Sequence, residues 1–138
     1  MEKKIIECVP NFSNGRDKSI IDEITNQIKL VEGVKLLSVE PGEATNRTVV
    51  TFVGEPEKVI EAAFQTIKKA SELIDMSKQT GEHPRMGATD VCPLIPISGI
   101  SMKETVNYAK KLGKRVGEEL NIPVYLYEDA ATKPERKN

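Results

Sequence analysis

Val34-Lys35-Leu36-Leu37-Ser38-Val39 runs into Glu40-Pro41-Gly42-Glu43-Ala44 and then into Asn46-Arg47-Thr48-Val49-Val50-Thr51-Phe52-Val53. The outer segments are rich in apolar and β-branched residues and read as strands. The middle segment carries Pro-Gly and reads as a turn. So short a connection favours antiparallel pairing of the two strands. Whatever precedes and follows has to fit around this hairpin.

Toward the N-terminus, Val31-Glu32-Gly33 breaks the chain before the hairpin. Ile20, Ile21, Ile24 and Ile28 recur at helical spacing and predict an amphipathic helix over 17–30, capped by Asp17 or Ser19. Pro10-Asn11-Phe12-Ser13-Asn14-Gly15 reads as a turn, and Lys4–Val9 as a strand that Pro10 ends. Toward the C-terminus, Gly54-Glu55-Pro56 opens a helix reaching about residue 75. Its buried face is expected to hold Val59, Ile60, Ala63, Phe64, Ile67, Ala70 and Leu73. After an irregular stretch, residues 91–97 are apolar but contain Pro93 and Pro96, which predicts an edge strand or one interrupted by bulges. Ser101-Met102-Lys103-Glu104 matches a capping box, and Val106, Ala109, Leu112, Val116 and Leu120 extend that helix to about residue 120. Ile122–Tyr127 predicts a last strand, and residues 129–138 a tail or linker with little to bury.

The resulting order is β-α-β-β-α-β-α-β. The expected fold class is α/β (α+β): a ferredoxin-like βαββαβ core extended by one α-β unit. Right-handed crossovers would place the helices on one face of a mixed sheet. The other face is then covered by something else or is a binding surface.

Composition narrows the function classes. The chain has 138 residues, enough for one domain, with 38% hydrophobic and 30% charged residues. A formal net charge of −1, no Trp and only three Phe and three Tyr argue against nucleic acid or an anionic membrane as partner. No apolar run approaches the ~20 residues of a membrane span, and Met1–Glu7 lacks the apolar core of a signal peptide. Two cysteines argue against a disulfide framework, so a cytoplasmic location is expected. With a single histidine beside them, no metal site is expected.

That histidine, His83, lies in Gly81-Glu82-His83-Pro84-Arg85-Met86-Gly87-Ala88-Thr89-Asp90-Val91-Cys92-Pro93. Pro84 disfavours helical dihedrals at His83, so an extended or turn backbone is expected there. Imidazole is the side chain best suited to moving protons near neutral pH, and Glu82 or Asp90 would raise its pKa while Arg85 would oppose that. Two readings fit: a surface loop histidine, or an acid–base group. Cys92 fits either a nucleophile served by His83 or a small buried hydrophobe. Arg47 fits a carboxylate clamp or a solvated strand end. Asn11 and Ser13 fit helix caps or ligand contacts, and Glu40 a solvated strand end.

Several stretches together resemble one family. Glu7-Cys8-Val9-Pro10-Asn11-Phe12-Ser13, Thr45-Asn46-Arg47-Thr48, Leu73-Ile74-Asp75-Met76-Ser77, Gly81–Gly87 and Pro123–Tyr127 are similar, in order, to the N-terminal subdomain of glutamate formimidoyltransferase, the transferase half of formimidoyltransferase-cyclodeaminase. The resemblance spans residues 4 to 128, about the extent of one subdomain, with 129–138 as the linker-like remainder. It implies transfer of a formimino group from N-formimidoyl-glutamate to tetrahydrofolate, a co-substrate, in histidine degradation. It also implies a folate groove between two similar α/β subdomains, and His83 as the catalytic general base. Arg47 and Arg85 are the candidate carboxylate partners, with Asn11 and Asn46 as polar contacts. Glu40 stands where the family often has Asp. The second subdomain, in cis or in trans, and a homodimer are the expected partners. The alternative is a non-catalytic module that binds folate or a partner.

Overall fold

The computed structural model describes residues 3–13, 17–42, 44, 46–74 and 89–120. Its elements run β1 (Ile5–Cys8), β2 (Asn11–Phe12), α1 (Lys18–Lys29), β3 (Val34–Gly42), β4 (Arg47–Gly54), α2 (Pro56–Leu73), β5 (Thr89–Val91), β6 (Leu94–Ser98) and α3 (Met102–Glu119). The strand predicted over 122–127 and the tail lie outside the described residues.

The hairpin that organises the chain forms, but its strands are longer than Pro41-Gly42 suggests. β3 continues through Glu40, Pro41 and Gly42, which face Val49, Thr48 and Arg47 of β4. Among the described strands β3 pairs only with β4, so Pro41 sits on an edge where a missing N–H is tolerated. A register shift between Leu36 and Ser38 leaves Leu37 exposed.

A second turn expected from sequence is also strand. The chain crosses Pro10 and resumes pairing as β2, with Asn11 opposite Val49 and Phe12 opposite Thr48. This continues the register in which Ile6 faces Gly54 and Cys8 faces Phe52, with nothing inserted. Proline removes a donor and leaves an acceptor: Pro10 O takes the N–H of Val50 at 3.0 Å. On the far side of this interrupted strand, β6 pairs with β1 and β5 with β2. The break between β5 and β6 falls at Cys92-Pro93, as the prolines predicted.

The sheet therefore reads, from edge to edge, β3, β4, β1 with β2, and β6 with β5. Every described pairing is antiparallel. This is the split βαββαβ pattern, in which each helical crossover skips over one strand. The described sheet is therefore antiparallel where a mixed one was expected, and the strand expected over 122–127 lies outside the described residues.

Burial alternates strictly along β4, with Thr48, Val50, Phe52 and Gly54 inward. Ile6, Cys8, Phe12 and Leu94 join them, and the core is completed by Ile24 and Ile28 of α1, Val59, Ala63 and Phe64 of α2, and Ala109, Leu112 and Val116 of α3. The helices therefore cover one face. Gly54 is needed where β4 meets the α1–β3 turn, because a Cβ there would stand 2.6 Å from Gly33 O.

Local rules account for the helix ends. Asp17 Oδ1 accepts from Ser19 N at 3.0 Å and from Ile20 N at 3.4 Å, so Asp17 is the cap of α1. Pro56 opens α2 as expected. That helix ends at Leu73, which is exposed; Ile74, just past the end, is buried instead. Half of the predicted capping box forms on α3. Ser101 Oγ accepts from Glu104 N at 3.1 Å, while the Glu104 carboxylate takes Lys4 Nζ at 2.6 Å. Val106 is only half-buried, and Thr105 occupies the inward position expected of it.

Candidate active site

The opposite face of the sheet carries the odd-numbered residues of β4 and of β1 with β2. Ile5, Val9, Val49, Thr51 and Val53 are half-buried there, and Ile95 and Ile97 are exposed. No described helix covers them.

At one end of this face the chemistry changes. Glu40 of β3 and Asn11 of β2 both face Val49 of β4, so Glu40, Val49 and Asn11 form one row across three strands. Arg47 is the next residue on the same face of β4, opposite Gly42. Gly42 presents no side chain beside it. Asn46, just before, is half-buried with φ 54°, a left-handed conformation that Asn tolerates better than most residues. The turn that reverses the hairpin thus also delivers Arg47 to the sheet end.

Burial sharpens the picture. Arg47 Nε is shielded from solvent, and Asn11 Oδ1 is buried and accepts no hydrogen bond from the described residues. A buried acceptor left unsatisfied costs about 1–3 kcal/mol, which marks Asn11 as a place where a donor is wanted. The capping alternative for Asn11 fails, because Asp17 caps α1 and Asn11 lies within β2. Ser13 is fully buried.

His83 and Arg85 lie outside the described residues. Their flanks are described: α2 leads to the buried Ile74, and the chain returns at Thr89, which pairs with Phe12 next to Asn11. Cys92 lies elsewhere. It packs against the core under the helices, its Sγ 3.3 Å from that of Cys8. This is the opposite face from Asn11 and Arg47, and it favours the reading of Cys92 as a small hydrophobe.

One ion pair belongs to the helical layer. Arg115 Nη1 meets Glu61 Oε1 at 2.7 Å, and its guanidinium stacks 3.7 Å from the centre of the Phe64 ring. Hydrogen bonds from Arg115 and then Gln65 hold the Glu61 carboxyl below its ordinary range. This clamp joins α2 to α3.

The profile of the family described as "Formiminotransferase domain, N-terminal subdomain" matches residues 5–138. The chain belongs to this formiminotransferase family. It is 56% identical over 134 residues to formimidoyltransferase-cyclodeaminase of Mus musculus, covering 97% of this chain and 25% of that protein. It is 51% identical over 135 residues to glutamate formimidoyltransferase of Streptococcus pyogenes serotype M1, covering 98% of this chain and 45% of that protein. A Thermoplasma acidophilum glutamate formimidoyltransferase is likewise 51% identical, with 44% of its length covered. The chain thus spans a quarter to less than half of these formiminotransferase relatives. Among the described residues, no helix is long and apolar enough to cross a membrane.

Glu40 is exposed near the end of β3, as its reading as a solvated strand end expects, and its place in the Asn11 row follows from a pairing register that no local motif encodes.

Proposed function

We propose that this chain is the N-terminal half of a folate-dependent transferase that moves a formimino group from N-formimidoyl-glutamate to tetrahydrofolate in histidine degradation. The observation that carries the reading is the family match over nearly the whole chain, including Gly81–Gly87 around His83. Attack of a folate nitrogen on the amidine carbon builds a tetrahedral centre. That step requires a proton to leave the attacking nitrogen, and collapse requires one on the departing glutamate nitrogen. His83 performs both transfers, as one imidazole can near neutral pH.

Both ligands carry carboxylates, which suits Arg47 and Arg85 as clamps. The orphaned Oδ1 of Asn11 supplies an acceptor for a ligand N–H, and Asn46 a second polar contact. Residues 1–128 form the subdomain and 129–138 lead away from it. The uncovered sheet face supplies one wall of a groove, and a second subdomain, in cis or in trans, the other. We further place the protein in the cytoplasm as a homodimer. Two cysteines in 138 residues fit a reducing compartment.

Supplying the second subdomain should give formimino transfer. His83→Ala should then lower kcat by about 10²–10⁴-fold with the circular dichroism spectrum unchanged. Full turnover by that variant would remove His83 from the mechanism. The alternative is a binding module that holds folate or a partner without turnover. Calorimetry decides it: tetrahydrofolate binding without turnover, even with the second subdomain present, would establish the module.

A further inference from the structure

Cys8 and Cys92 come from distant parts of the chain, 84 residues apart, yet their sulfurs lie 3.3 Å from each other. Neither has a part in the chemistry proposed for the uncovered face. Cys8 is fully buried in β1, whereas Cys92 is half-buried in the short break between β5 and β6. The thiols sit beside the break between β5 and β6. Pro10 and Pro93 both lack an N–H there, and Val9 N donates to Pro93 O at 3.1 Å across the gap. A disulfide has an S–S bond of about 2.05 Å, so closure asks for roughly 1.3 Å of approach. Side-chain rotation, with a small shift of the break between β5 and β6, can supply it.

We propose that Cys8 and Cys92 are a redox pair that closes to an intrachain disulfide when the protein meets a hydroperoxide. The half-buried Cys92 reacts first. Its sulfur attacks one peroxide oxygen, the O–O bond breaks, and Cys92–SH with H₂O₂ becomes Cys92–SOH with one water. Cys8 sulfur then attacks the Cys92 sulfur. The S–S bond forms, the S–O bond breaks, and the hydroxyl leaves as a second water with the Cys8 proton. Each sulfur gives up one electron, and the peroxide takes both. The bond staples the first strand to the chain that emerges from the His83 stretch.

The test is peroxide titration of the 138-residue chain, followed by thiol counting, intact mass and a peptide map without reductant. Expected are loss of both thiols, a mass lower by about 2 Da, and a peptide joining Cys8 to Cys92 that dithiothreitol releases. The yield of that link should not depend on protein concentration. In Cys8→Ala, Cys92 should accumulate as sulfenic or sulfinic acid. In Cys92→Ser, the Cys8 thiol should react at least tenfold more slowly than Cys92 does in the parent. A parent chain that keeps the Cys8 thiol while Cys92 climbs to sulfinic acid would overturn the proposal. So would links formed only between chains, or Cys8 reacting first.

Discussion

The two faces of the sheet share the same strands and differ in what decides their residues. On the helix-covered face, Ile6, Phe12, Val50, Phe52 and Leu94 are nearly or fully buried, and each position wants volume. On the other face, half-buried valines and exposed isoleucines give way at one end to Glu40, Asn11 and Arg47. One face is explained by folding. The other holds exposed apolar surface and a buried acceptor with no donor among the described residues. That asymmetry is why the ligand chemistry is placed there.

The sharpest way to break the comparison is to mutate both faces alike. Phe52→Ala should cost about 3–5 kcal/mol in urea unfolding, because it empties a fully buried site. Ile97→Ser, 53% exposed on the other face, should stay within about 0.5 kcal/mol. Equal losses would mean that the second face is also a core. Gly54→Ala comes next. Its new Cβ would meet the backbone oxygen of Gly33 rather than a flexible side chain, and about 1–3 kcal/mol should be lost in the same assay.

Asn11→Val sharpens the contrast by separating stability from ligand affinity. It removes the unsatisfied acceptor and adds a β-branched residue, so stability should hold or rise by up to about 1 kcal/mol. Tetrahydrofolate affinity of the two-subdomain protein should instead fall by about tenfold, read by calorimetry. A parallel loss in both would make Asn11 an ordinary structural residue.

The smallest expected effect concerns Lys4 and Glu104, far from the site. The hydrogen bond from Lys4 keeps the Glu104 carboxyl below its ordinary 4.5, and the same bond raises Lys4 above 10.5. A depressed acid stabilises the fold above its unfolded value and loses that contribution as pH falls through the folded one. The raised lysine contributes below 10.5 and loses it as pH climbs further. Glu104→Gln should therefore flatten the urea midpoint slightly below pH 4.5 and above pH 10.5, and salt should shrink the difference.

Much of the architecture was legible because its signals are local. Helical spacing of Ile21, Ile24 and Ile28, Pro56 at a helix start and the Ser101 cap all act within a few residues. The two turns misread as such, at Pro10 and at Pro41-Gly42, failed for one reason. Proline forbids a donor, not a strand, and whether the donor is missed depends on a neighbour distant in sequence. The site was legible in part by chemistry, since Asn11, Asn46 and Arg47 were singled out. Their convergence was not, because the row through Val49 exists only once β2, β3 and β4 are in register.

The central strand has a consequence in time. Ile6 pairs with Gly54 on one side and with Pro96 on the other. A ribosome adding about 5–20 residues per second delivers these partners roughly 50 and 90 residues later. β1, made before the other described strands, is thus among the last to be enclosed. For roughly 5–20 s its edges, with Ile5, Ile6 and Cys8, wait without the strands that will flank them. The newborn chain is most exposed to wrong partners in that interval, before its β6 end has emerged.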